Sequence, residues 1–91
     1  MYYVYVLRSQ TTGMRYIGQT DDLTRRITEH NNRGHNCKKF TSKHPGPWCL
    51  VHSEVFDSRP DAMRREKWLK SGIGREWLDT NLGRASQPKA E

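Results

Sequence analysis

The sequence predicts an α+β domain in which a small three-stranded, mainly antiparallel sheet is flanked by helices, in the order β-β-α-β-α-α. Three observations predict it. Aromatic and β-branched residues are gathered into short runs bounded by turn residues, as strands require. Elsewhere apolar residues recur at helical spacing behind residues that cap helices. The chain has 91 residues, enough for one domain with a modest core.

The elements follow in order. Tyr2-Tyr3-Val4-Tyr5-Val6-Leu7 reads as a strand. Ser9 to Gly13 reads as a turn, and Arg15 to Gln19 as a second strand, which makes an N-terminal hairpin. Thr20, Asp21 and Asp22 offer N-caps for a first helix from Leu23 to about Asn32. Leu23, Ile27 and His30 share one face of it, with Arg26 on the border. Asn32-Arg33-Gly34 ends that helix. Residues 33 to 47 are polar and basic and read as a loop. Trp48 to Phe56 is the third strand. Ser58 caps a second helix, with Pro60 and Asp61 both suited to its first turn. This helix is expected to run to about Ser71 and stop at Gly72. A short third helix covers Gly74 to Leu82. The domain is thus 1–82, with a polar, disordered tail over 83–91.

Sixteen Lys and Arg oppose ten Asp and Glu, for a net charge of +6. The pI is near 9.7 and the mean hydropathy −1.02. That balance points to a polyanionic partner, nucleic acid before others, or to no more than a soluble basic surface. Three Trp, four Tyr and two Phe supply large core side chains and speak against general disorder. The cysteines, Cys37 and Cys49, read as thiols rather than as a disulfide frame. The first apolar stretch, Val4 to Leu7, is too short for a signal peptide or a membrane span. A cytoplasmic protein with no membrane partner is expected.

One residue breaks the pattern. A helical rotation of about 100° per residue sets Ala62, Leu69 and Ile73 on one face of the second helix, and Glu66 in the middle of the same stripe. A carboxylate there is costly unless it is paired, hydrogen-bonded or bound to a metal. Two readings stand: a buried ion pair, for instance with Arg26, or a metal ligand. In the first helix Arg26 and His30 are i, i+4 neighbours. They read either as an exposed cation beside a core-edge histidine or as a phosphate-binding pair aimed at the sheet.

These residues together resemble a known family. Val4-Tyr5 followed by Tyr16-Ile17-Gly18 resembles the two-part signature of the GIY-YIG nucleases. Arg26 lies ten residues after Tyr16, His30 four further on, and Glu66 on a later helix, in the order of the family's catalytic pattern. The stretch Arg65-Glu66-Lys67-Trp68-Leu69-Lys70-Ser71-Gly72 with Gly74-Arg75 looks like the small stand-alone members, the uncharacterised UPF0213-like proteins. The likeness covers about residues 2 to 82. It departs at the first tripeptide, where Tyr3 replaces glycine and Val4 isoleucine, without touching the phenol of Tyr5. Asn81 is the candidate for an asparagine that many members carry after the glutamate.

The resemblance implies the GIY-YIG fold and an endonuclease that hydrolyses phosphodiesters with one divalent ion, Mg²⁺ or Mn²⁺. Glu66 would be its sole protein ligand, with waters and substrate phosphate completing an oxygen shell. Arg26 would bind a non-bridging oxygen. Tyr16 would act as general base, which requires its phenol to fall from about 10. His30 would accept that proton or orient Tyr16, and Tyr5 would position the site from the neighbouring strand. The expected substrate is DNA ahead of RNA, cut with low sequence specificity or by structure, with DNA repair as a setting. Arg25, Arg33, Lys38, Lys39, Lys43, Arg64 and Arg65 are the candidates for the path of the nucleic-acid backbone, each otherwise a solvated surface charge. With no separate reading module in the sequence, an unidentified targeting protein is the other source of specificity. Two rivals remain. One is a catalytically silent nucleic-acid-binding module. The other is a zinc-stabilised interaction module built on His35, Cys37, His44 and Cys49, whose spacing matches no usual finger.

Overall fold

β1 (Tyr2–Ser9) is the centre of the molecule. Val4, Tyr5, Val6 and Leu7 are all completely buried, so this strand is covered on both faces. That explains why its apolar run does not alternate with polar residues. The computed structural model describes residues 1–31 and 47–83. The expected end of the first helix at Asn32-Arg33-Gly34, the loop residues Arg33, His35, Cys37, Lys38, Lys39, Lys43 and His44, and the tail beyond Gly83 lie outside the described residues.

β2 (Arg15–Thr20) and β3 (Trp48–Phe56) pair antiparallel with β1, giving the sheet order β2-β1-β3. The expected sheet and the β-β-α-β-α-α order are what the structure shows. In the hairpin, Ser9 Oγ accepts from the backbone N–H groups of Thr11 and Thr12, and Gly13 takes φ 78°, a conformation that favours glycine. Val6 pairs with His52 and Leu7 with Leu50, so Val51 is the extra residue of a bulge.

The two faces of the sheet carry separate clusters. Val4, Val6 and Ile17 pack with Ala62, Leu69 and Leu78 from the later helices. Tyr5, Leu7, Met14 and Trp48 pack with Leu23 and Ile27 of α1 (Leu23–Asn31). Asp22 caps α1 by accepting from the Arg25 N–H at 3.1 Å. Asn31 clamps the other end to the sheet. Its amide donates to the Trp48 carbonyl at 3.0 Å and its oxygen accepts from the Trp48 N–H at 2.7 Å.

The later helices depart from expectation at their junction. α2 runs Arg59–Lys70 and α3 runs Gly72–Leu82. Gly72 does not stop a helix; it is the first residue of α3. Ser71 closes one helix and opens the next: its hydroxyl donates to the Trp68 carbonyl and accepts from the Gly74 N–H. The chain therefore turns at Ser71, and the helical phase that would put Ile73 with Ala62 and Leu69 is lost. Ile73 is 69% exposed, whereas Ala62 and Leu69 are fully buried. Two hairpin arginines hold the far end of α3, as cations favour a helix C-terminus. Arg8 donates to the Leu82 carbonyl, and Arg15 donates to the Gly83 carbonyl and pairs with Asp79 at 3.0 Å.

Candidate active site

The hairpin register builds the site. Tyr5 on β1 lies directly opposite Gly18 on β2. A Cβ at Gly18 would stand 2.7 Å from the Tyr5 oxygen and 3.1 Å from Cε2 of Tyr16. The missing side chain is the space into which the two phenol rings fold. Their centroids are 6.2 Å apart.

α1 supplies the next pair. His30, 2% exposed, shares a 2.9 Å hydrogen bond between its Nε2 and the Tyr5 hydroxyl. Its ring packs on Tyr16 with centroids 4.7 Å apart. Arg26, one turn earlier, lies near enough to Tyr5 to act on it electrostatically, and its Nη1 donates to Glu29 Oε1 at 2.9 Å. His30 faces inward because it continues the stripe of Leu23 and Ile27, and the i, i+4 spacing then carries Arg26 to the edge of the same site.

The electrostatics separate the roles. Burial raises the Tyr5 phenol well above its ordinary value of 10.0, and Tyr16 and Glu66 push the same way against the opposing Arg26. Burial thus favours the neutral hydroxyl at Tyr5. Burial works against the Arg26 charge, but Tyr5, Glu29 and Tyr16 outweigh it and hold the guanidinium more firmly protonated than usual.

Glu66, on α2, acts on Tyr5 through its charge. Ala62 and Leu69 bury the same stripe, and the Glu66 carboxylate is 22% exposed. It is neither deeply buried nor joined to Arg26 in the pair first considered: its Oε2 accepts from Lys70 Nζ at 2.9 Å, while Arg26 pairs with Glu29. Among the described residues no three His, Cys, Asp or Glu converge on one point. A single hard carboxylate at a solvent-facing edge suits Mg²⁺ or Mn²⁺, which keep most of their waters. The donor chemistry of Glu66 fits the ion that the resemblance implies.

The other candidates are elsewhere. Asn81 is exposed on α3, and its amide donates to the Trp77 carbonyl at 2.7 Å. It lines a hollow with Trp68, Ile73 and Trp77 rather than the tyrosine site. Arg65 is engaged within the fold: it makes two hydrogen bonds to Glu54, at 2.8 and 3.0 Å, and lies over the rings of Trp68 and Trp77. Arg25 and Arg64 are exposed and ion-paired to near neighbours in the chain, Asp21 just before α1 and Asp61 within α2 respectively. Sequence reasoning passed over Glu29 and Lys70. Each stands three or four residues from a charged site residue, and that spacing is the signal that identifies them.

Comparison with known proteins identifies the family and the fold. A family profile described as the GIY-YIG catalytic domain matches residues 1–75. A UPF0213 protein of Halobacterium salinarum is 41% identical over 70 residues, 77% of this chain and 86% of that protein. One from Clostridium perfringens is 36% identical, covering 77% of this chain and 71% of its own. The solution NMR structure of a UPF0213 protein from Bacillus halodurans is similar with a TM-score of 0.52 and 34% identity, over 91% of this chain and 87% of that one.

Proposed function

Because the chain belongs to the GIY-YIG catalytic domain family, we propose that it is a metal-dependent endonuclease that hydrolyses nucleic-acid phosphodiester bonds. One observation carries the reading. Two phenols, a buried imidazole and a guanidinium come together on the face of the sheet that α1 covers, with a carboxylate near enough to act on Tyr5.

The residues divide the work as follows. Arg26 binds a non-bridging phosphate oxygen and stabilises the charge that grows there in the transition state. Its firm protonation suits that duty, and phosphate would take the place now held by Glu29. Tyr16, as the phenolate, takes a proton from the attacking water as the water oxygen bonds to phosphorus and the ester P–O bond breaks, and the leaving oxygen departs with the bond's electron pair and is protonated by solvent. Tyr5, kept neutral by burial, holds its hydrogen bond to His30. The two together fix the wall against which Tyr16 packs. Glu66 would hold the divalent ion, Mg²⁺ or Mn²⁺, which supplies Lewis-acid stabilisation of the leaving oxygen when bound. The Glu66 charge is also the reason the ion would sit beside the phenols rather than elsewhere on a basic protein.

The substrate reading is DNA ahead of RNA, with low sequence specificity or recognition of structure. Exposed cations such as Arg25 and Arg64 suit backbone contact, which carries no sequence information. A targeting protein and a cytoplasmic location belong to the same proposal. Among the described residues no helix is long and apolar enough to cross a membrane.

The test uses wild type and Glu66→Ala with labelled single-stranded, duplex and branched DNA and with RNA, each in Mg²⁺, Mn²⁺ or EDTA. Ion-dependent cutting by wild type, lost in the variant, is the expected result and identifies the substrate. Cutting by neither, with nucleic acid still bound, would make the chain a binding module instead.

A further inference from the structure

We infer that Lys70 is a positioning residue of this site that competes with the divalent ion for Glu66. The inference rests on the reading of Glu66 as the ion's ligand. Lys70 Nζ stands 2.9 Å from Glu66 Oε2, and the two side chains are 38% and 22% exposed. Glu66 is confined because Ala62, one turn before it, and Leu69, nearly one turn after, are fully buried and fix the rotation of α2. The ammonium therefore lies on a carboxylate oxygen that an ion at Glu66 would need. A carboxylate oxygen engaged by an ammonium is a poorer donor to a second cation, and the two positive charges repel.

Lys70 then has two consequences for the site. In the free protein it holds the Glu66 carboxylate in place, so the single ligand does not swing into solvent. It also weakens binding of the ion alone, so that the ion is retained chiefly when substrate phosphate adds its own oxygens. Lys67, on the same helix, gives the comparison: it carries the same charge and is exposed, with Glu66 paired to Lys70 instead.

The test measures Mn²⁺ binding by electron paramagnetic resonance of the free ion, with the full chain and no nucleic acid. Lys70→Met should bind Mn²⁺ about threefold to tenfold more tightly than wild type, the scale for removing one charge beside a partly exposed ion. Lys70→Arg, which keeps the charge, should return close to wild type. Lys67→Met should change the affinity by less than about twofold. Melting curves check that each variant is folded. Unchanged or weaker binding in Lys70→Met, or equal tightening in Lys67→Met, overturns the role of Lys70 if Glu66→Gln still abolishes binding. Should Glu66→Gln leave Mn²⁺ binding intact, the assignment of Glu66 as ligand fails first and the competition falls with it.

Discussion

Replacing Gly18 with alanine probes the architecture of the site at one atom. The added Cβ would lie 2.7 Å from the Tyr5 oxygen, 2.9 Å from Tyr5 Cζ and 3.1 Å from Tyr16 Cε2. Real Cβ atoms do not approach so closely, so something must move. Tyr5 cannot retreat easily: it is fully buried in the central strand and bonded to His30, itself buried. Overpacking of this kind costs about 1–3 kcal/mol. For a domain of this size that lowers the melting temperature by roughly 5–20 °C. The melt is followed by circular dichroism, and cleavage is assayed well below the new midpoint. Cleavage should fall further than the folded fraction, because the shift is borne by the two phenols. A double-mutant cycle locates the clash. Tyr5→Phe removes the nearest atom, so adding it to Gly18→Ala should cost less than the sum of the single changes by about 0.5–1 kcal/mol. A Gly18→Ala variant that melts and cuts like wild type, or an additive cycle, would refute the close approach of Tyr5 as the reason for glycine.

Two further predictions concern the helices. At Gly74 a Cβ would meet the Trp68 carbonyl at 2.1 Å and Leu69 Cα at 2.5 Å, whereas at Gly72 it would meet nothing within 4 Å. Gly74→Ala should therefore destabilise by about 3 kcal/mol or more, and Gly72→Ala should stabilise by about 0.4–1 kcal/mol, read in parallel thermal melts. Burial alone would raise the Glu54 carboxyl, but hydrogen bonds from Arg65 and His52 outweigh it and hold it below the ordinary 4.5. The folded value being the lower one, this stabilisation is complete above about pH 4.5 and is lost as pH falls through the folded value. Arg65→Met should cost about 1–2 kcal/mol at pH 7. Its deficit should shrink on acidification from pH 6 to pH 3 in urea titrations, and a constant deficit would contradict the linkage.

The strands and the first helix were legible in the sequence because they rest on local rules, whereas the tyrosine pair was singled out by the resemblance to the GIY-YIG nucleases. A run of aromatic and β-branched residues bounded by turn residues makes a strand whatever it packs against. His30 is inside because its neighbours at helical spacing are apolar. Glu66 could be singled out for the same reason: a charge on an apolar stripe is visible in one dimension. The carboxylate's partner was misread: Arg26 was the pair considered, whereas Lys70, four residues on along the same helix, is the residue that reaches Glu66.

The junction at Ser71 shows where local rules fail. Glycine after a helix is a common stop, and Gly72 met that description. The chain instead spends Ser71 on both helix ends, because Gly74 lets α3 lie against the last turn of α2. That contact is made in space, and it leaves Ile73 in solvent. Asn81 could not be placed from the sequence for the same cause, as its position depends on how α3 turns away from α2.

By itself, then, the sequence determined the element order and the faces of the first helix, since each depends on spacing along the chain, and its resemblance to the GIY-YIG nucleases singled out the candidate site residues. Only the tertiary structure decided which of those side chains meet. Tyr5 meets His30 and Arg26 because α1 packs on one face of the sheet, and Gly18 gives the phenols room because the hairpin register sets it opposite Tyr5. Distances between residues far apart in the chain follow from packing, and packing is a property of the whole fold.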